Sequence, residues 1–259
     1  MNPPSRRQHP RGPATLLILA AVLSVAAADL ARAGGIEYPA PGNLRLEEGT
    51  IELWLTPMTE LYPATKPKEY RRAFALFGFR VPEHFSMSAA WLSKNGQHQV
   101  AVSMSAVGVQ DGLLSVPAPA PRDWQPGQRH HVAFTWSGRD MKLAFDGREA
   151  GGRKQQLWLS GPLAGRSLII GDPDARDCRI ILHAVRVSCM ARPAETMKNA
   201  QPAADIHTLL LDVFDQPAKA GRTNARVISG LSGEGGGVIK GAHHFAQGLA
   251  LFAPAKGER

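Results

Sequence analysis

Two dipeptides limit what this chain can become. Asn95-Gly96 lies between AAWLSK and QHQVAVSM, and Asp146-Gly147 lies between MKLAF and REA. The tightest antiparallel turn needs positive φ at both central residues, which Asn, Asp and Gly tolerate. The flanking residues alternate apolar with polar, the period of a half-buried strand. Residues 89–104 are expected to be two strands around Asn95-Gly96, with Val100, Val102 and Met104 on one face. Met141, Leu143 and Phe145 likewise share a face before the chain turns at Asp146-Gly147.

The same period recurs along the chain. In TIELWLTP (50–57), Ile51, Leu53 and Leu55 alternate with Glu52, Trp54 and Thr56. In HHVAFTWSG (130–138), Val132, Phe134 and Trp136 alternate with Ala133 and Thr135. RAFALFGF (72–79), RSLIIGD (166–172), RIILHAVRVS (179–188), HTLLLDVFD (207–215) and GLALF (248–252) read as further strands. Strict alternation over 182–188 would place Leu182, Ala184, Arg186 and Ser188 opposite His183, Val185 and Val187. Gly 26 and Pro 20 are scattered as turn residues, and 44% hydrophobic content is ample for a core. About nine or ten short strands with almost no helical periodicity predict an all-β antiparallel sandwich or jelly roll.

The first 33 residues read as an export label. Arg6, Arg7 and Arg11 precede the apolar run TLLILAAVLSVAAA, and ARA at 31–33 supplies small residues for cleavage after Ala33. That is a secretory signal peptide, and no stable membrane span is expected once it is removed. Residues 1–33 hold four arginines and one aspartate, so the formal charge falls from +8 to +5 on cleavage. The remaining local cluster is Lys66, Lys68, Arg71 and Arg72. Nucleic-acid binders concentrate positive charge on one face, and no such patch is legible, so no nucleic-acid partner is expected. A strand over 178–189 would hold Cys178 and Cys189 roughly 35 Å apart, too far for a disulfide. Two free, mostly buried thiols are expected, with no zinc-ligand spacing.

Four motifs carry a resemblance. EGTIELWLTP, WQPGQRHHVAFTWSGRDMKLAFDGREAGG, LIIGD and LHAVRVSCMAR follow in an order and spacing similar to laminin-G-like, concanavalin A-like jelly-roll domains. DIHTLLLDVFD and GAHHFAQGLALF resemble the strands that usually open such a unit, so the resemblance covers roughly residues 42–252. It implies a laminin-G-like β-sandwich over 36–200, with 201–259 supplying strands that complete it or begin a second unit. Two positions depart from the pattern. Arg129 stands where a tryptophan is usual, and His183-Ala184 replaces an acidic pair. A bound metal is therefore not expected, and calcium has no support in the sequence.

No catalytic constellation is legible. Glycosidases need two carboxylates across a sugar bond, whereas Glu47-Glu48 precede a strand and Asp172 and Asp174 flank a proline. His130 falls on the Val132 face as a packed residue, and no nucleophile elbow or phosphate loop occurs. Sugar-binding modules stack exposed aromatics on pyranose rings. Trp136 reads as core, and Trp91 and Trp158, beside Asn95, Gln155 and Gln156, are the expected platform. The sequence thus points to an exported, periplasmic or extracellular, non-catalytic module that recognises a glycan or an envelope or extracellular protein. A carbohydrate-active hydrolase or lyase with an atypical site, and a structural envelope protein, are the alternatives.

Overall fold

The computed structural model describes residues 35–57, 73–94, 97–106, 113–117, 124–125, 127–154, 159–171, 180–197, 201–214, 226–227, 238–240, 242–245 and 248–251. These form two antiparallel sheets packed face to face, a jelly-roll sandwich. The first sheet draws on β1 (Gly35–Pro39), β3 (Ala73–Val81), β4 (Phe85–Lys94), β5 (Gln97–Ala106), β6 (Leu113–Pro117), β10 (Ser167–Gly171) and β14 (Val238–Lys240). Their order is β14-β1-β10-β3-β4-β5-β6. The second draws on β2 (Glu48–Pro57), β7 (His130–Ser137), β8 (Asp140–Phe145), β9 (Arg148–Lys154), β11 (Ile180–Ser188), β12 (Thr208–Val213) and β13 (Arg226–Val227). Their order is β13-β12-β11-β2-β7-β8-β9. A hairpin of β15 (Ala242–Phe245) and β16 (Gly248–Leu251) joins this sheet through β16.

Both turn dipeptides sit between paired strands. Lys94 pairs with Gln97, which leaves two residues for the β4–β5 connection. Asp146 and Gly147 take φ of 49° and 74°, the left-handed region such a hairpin requires. Alternation then sends one set of side chains from each sheet into a shared core. Ile36, Phe77, Met87 and Leu168 come from the first sheet, and Phe134 and Val185 from the second. Each such side chain contributes about 1.5–3 kcal/mol on burial. Two polar side chains inside the sandwich are matched: Trp136 Nε1 donates to the Leu46 carbonyl at 3.0 Å, and Tyr38 Oη donates to Asp212 at 2.7 Å across the sheets.

β11 departs from strict alternation. Its pairing with β2 shifts between Leu182 and Ala184, so His183 is an extra residue in a bulge. Leu182 consequently joins Val185 and Val187 in the core rather than sharing a face with Ala184 and Arg186. The other edge of β11 serves two strands end to end, β16 along Ile180–Leu182 and β12 along Ala184–Ser188. β14 pairs with β1, so strands beyond residue 201 enter both sheets. Cys189 follows β11 as a half-buried free thiol, and Cys178 lies outside the described residues. Among the described residues no helix is long and apolar enough to cross a membrane.

Candidate functional site

A sandwich has two outer faces, and here they differ sharply. On the second sheet, the outer positions of β2, β7 and β11 carry Glu52, Trp54, His131 and Arg186, all buried. Residues 189–197 and 201–207 lie over them as a strap, with a 3-10 turn at Ala194–Met197 whose Met197 packs on Ala133 and Ala144. The Glu52 carboxylate, 0% exposed, accepts from Arg186 Nε at 2.5 Å and Nη2 at 2.6 Å, and His131 Nε2 lies 3.2 Å away. Arg186 reaches on to the Ala203 carbonyl at 2.9 Å and lies 5.5 Å from the Trp54 ring centroid. Arg192 joins Asp205 at 2.6 Å and comes within 3.7 Å of Glu52. Burial pushes the Glu52 carboxyl up, but hydrogen bonds and charge from His131 and Arg186 outweigh it and hold it below the ordinary range. The Arg192 hydrogen bond holds Asp205 far below that range. This face is a closed ion network that pins the strap.

The first sheet presents the opposite chemistry. Between the core residues of β3, β4 and β5, the outer positions hold Ala75, Gly78 and Arg80, then Ser86, Ser88 and Ala90, then Ala101, Ser103 and Ser105. Their register builds a row across the sheet, Glu37–Ile169–Gly78–Ser88–Ser103. A second row pairs Arg80 with Ser86 and Ser86 with Ser105, and the two serine Oγ atoms are 2.8 Å apart. A Cβ added at Gly78 would meet nothing within 4 Å among the described residues. By contrast, a Cβ at Gly49 would lie 2.3 Å from the Trp136 ring, so Gly49 is required by packing. At one end of the rows, β3 turns into β4 through Pro82 and Glu83, the latter at φ 64°. Ala90 and Ala101 are buried, so the accessible part of this face is the half-buried patch of Gly78, Ser86, Ser88, Ser103 and Ser105, edged by exposed Arg80.

Of the expected platform, the structure describes Trp91 alone, and it is not displayed. Trp91 is 4% exposed, because it continues the Phe85, Met87, Ala89 alternation into the core. Its ring lies 5.2 Å from Trp124, which stacks on His130 at 4.1 Å. Trp54 and Trp124 are buried as well. An indole enclosed in this way is a packing element and not a stacking surface. Trp158, Asn95, Gln155 and Gln156 lie outside the described residues, as do residues 1–33, Lys66, Lys68, Arg71, Arg72, Asp172 and Asp174. His130 is packed, with Nδ1 3.0 Å from Asp146. His183 Nε2 lies 2.7 Å from Thr56 Oγ1. Glu48 accepts from the Ala191 amide at 3.1 Å and so ties down the strap. Among the described residues no group of three His, Cys, Asp or Glu could hold a metal ion. The serine face escaped sequence reasoning, although SMSAAW and VAVSMSA already show serines alternating with core residues.

No family model matches the chain, and no curated protein matches it. Solved structures do. A Bacteroides ovatus protein described as a candidate carbohydrate-binding protein superimposes with a TM-score of 0.53 at 14% identity, over 87% of this chain. The match spans 60% of that protein's length, and the likeness is one of fold. A pentraxin of Limulus polyphemus superimposes with a TM-score of 0.43 at 14% identity, over 88% of this chain and 97% of the other. A galectin of Caenorhabditis elegans gives 0.37 at 15% identity, over 59% and 89%.

Proposed function

We propose that this chain is an exported, non-catalytic, laminin-G-like recognition module that binds a glycan on the outer face of the first sheet. The observation that carries this reading is Gly78. Glycine inside a strand weakens it, and usually marks a bulge, a bend or the close approach of a ligand. Gly78 has ordinary backbone φ, lies outside the bulge at Ala75–Phe77 and, among the described residues, has nothing within 4 Å of where a Cβ would sit. Packing gives no reason for it, whereas a sugar ring resting on the backbone does. Ile169 on one side offers apolar contact, and Ser88 and Ser103 on the other offer hydroxyls that donate and accept. The laminin-G-like motifs and the fold shared with the Bacteroides protein support the same class, and the arginine-led apolar segment before Ala33 supports export.

The test is a glycan array probed with the wild-type chain and with Gly78→Leu, with and without EDTA. Saturable, EDTA-insensitive binding that the variant loses is the expected result. Binding to no glycan would overturn it and favour a second reading, an envelope or extracellular protein partner. That reading has one observation of its own. Ile206 is 91% exposed in a turn held by Asp205, whose side chain accepts from the His207 amide and from Thr208 Oγ1.

A further inference from the structure

Among the outer positions Ala75–Arg80, Ser86–Ala90 and Ala101–Ser105 of the first sheet, the charged side chain is Arg80. It is exposed and has no hydrogen bond or ion pair among the described residues. The register sets it beside the Ser86–Ser105 hydroxyl pair. A second guanidinium lies at the same end. β10 pairs Leu168 with Phe79, and one further step places Ser167 opposite Arg80, with Arg166 next in the chain. Strand spacing and rise put the Arg80 and Arg166 Cα atoms about 6 Å apart. Arg166 Nε is buried and has no partner among the described residues. Glu83, in the β3–β4 turn, forms no ion pair with either, and His84 beside it is exposed. Arg80 thus stands with no acid paired to it among the described residues, at the rim of a surface that carries the Ser86, Ser88, Ser103 and Ser105 hydroxyls.

We infer that the glycan taken on this face is an acidic one, its carboxylate or sulfate held by Arg80 and the Ser86 and Ser105 hydroxyls. The inference rests on the glycan-binding reading above and adds the class of sugar. A guanidinium presents a planar fork that matches the two oxygens of such a group, and the serine O–H groups donate alongside it.

The experiment is isothermal titration of the intact chain with two matched pairs, polygalacturonate with its carboxyl-reduced counterpart, and dextran sulfate with dextran. Arg80→Gln and Arg80→Lys are titrated beside the wild type, with melting curves confirming that each is folded. The expected result is preference for the acidic member of at least one pair. Which pair responds separates carboxylate from sulfate. Arg80→Gln should weaken that binding about tenfold, as loss of a charge-assisted contact implies, and Arg80→Lys should restore part of it. Acidic binding untouched by Arg80→Gln would overturn the inference, because attraction to a basic chain would then explain it. So would equal binding of neutral and acidic members, which leaves the sheet face intact if Gly78→Leu still abolishes it. If none of the four polymers and no arrayed glycan binds, the glycan reading itself falls.

Discussion

The outer faces of the two sheets start from the same strand alternation and end as opposites. On the second sheet Glu52, Trp54, His131 and Arg186 point outward, and residues 189–197 and 201–207 cover them. On the first, small residues led by Gly78, Ser88 and Ser103 point outward beside Arg80, and nothing among the described residues lies within 4 Å above Gly78. Alternation therefore says which side of a strand a residue takes. Whether that side meets water is decided by a distant segment. β2 makes the point: every residue from Gly49 to Pro57 is buried, on both faces.

The comparison breaks most readily at Glu52. Replacing it by Gln leaves Arg186 beneath the strap without its carboxylate, and losing one partner of a buried pair costs about 3–5 kcal/mol. Chemical denaturation of Glu52→Gln should show a loss of that order, and a loss below about 1 kcal/mol would mean the strap is held by packing alone. Next are the two glycines. Gly49→Ala forces a methyl against the fully buried Trp136 and should cost about 1–3 kcal/mol. Acid gives a smaller effect per group. Glu52, Asp146 and Asp205 all titrate below their ordinary values when folded. The unfolded chain binds more protons at these sites, so their stabilisation is complete above the unfolded carboxylate range and lost as pH falls from about 5 through the folded values. The melting temperature should fall from pH 5 to pH 3 and hold level from 5 to 7. The smallest effect has the opposite sign. Gly78→Ala should stabilise the fold by about 0.5–1 kcal/mol, since it removes backbone entropy from the unfolded state and meets nothing in the folded one. A destabilised Gly78→Ala would show that the centre of this face is not open.

Much of the sandwich was legible because its signals are local. The Asn-Gly and Asp-Gly turns and the alternation in β2, β5, β7 and β8 each fit within about ten residues. What escaped was non-local. β1, β6 and the short β13 and β14 have little period of their own and are defined by the strands they pair with. The bulge at His183 moved Leu182 to the core, a one-residue event that alternation cannot anticipate. Trp91 is in the core because its own strand alternates that way, and large aromatics are buried more often than displayed. The Glu52–Arg186 pair joins residues 134 apart, so EGTIELW and AVRVS each carried half of it. Of the site, the serines were present in plain alternation, but their row becomes visible only when five strands are laid side by side.

β11 has a consequence for how the molecule comes into being. One of its edges takes β2, near the start of the described chain, and the other takes β12 and then β16, at its end. β1 likewise waits for β14. Pairings between such distant segments lose loop entropy before they gain contact energy, which makes folding slow. During synthesis the β3–β6 and β7–β9 meanders can pair early, whereas β1 and the outer edge of β11 wait for β14, β12 and β16.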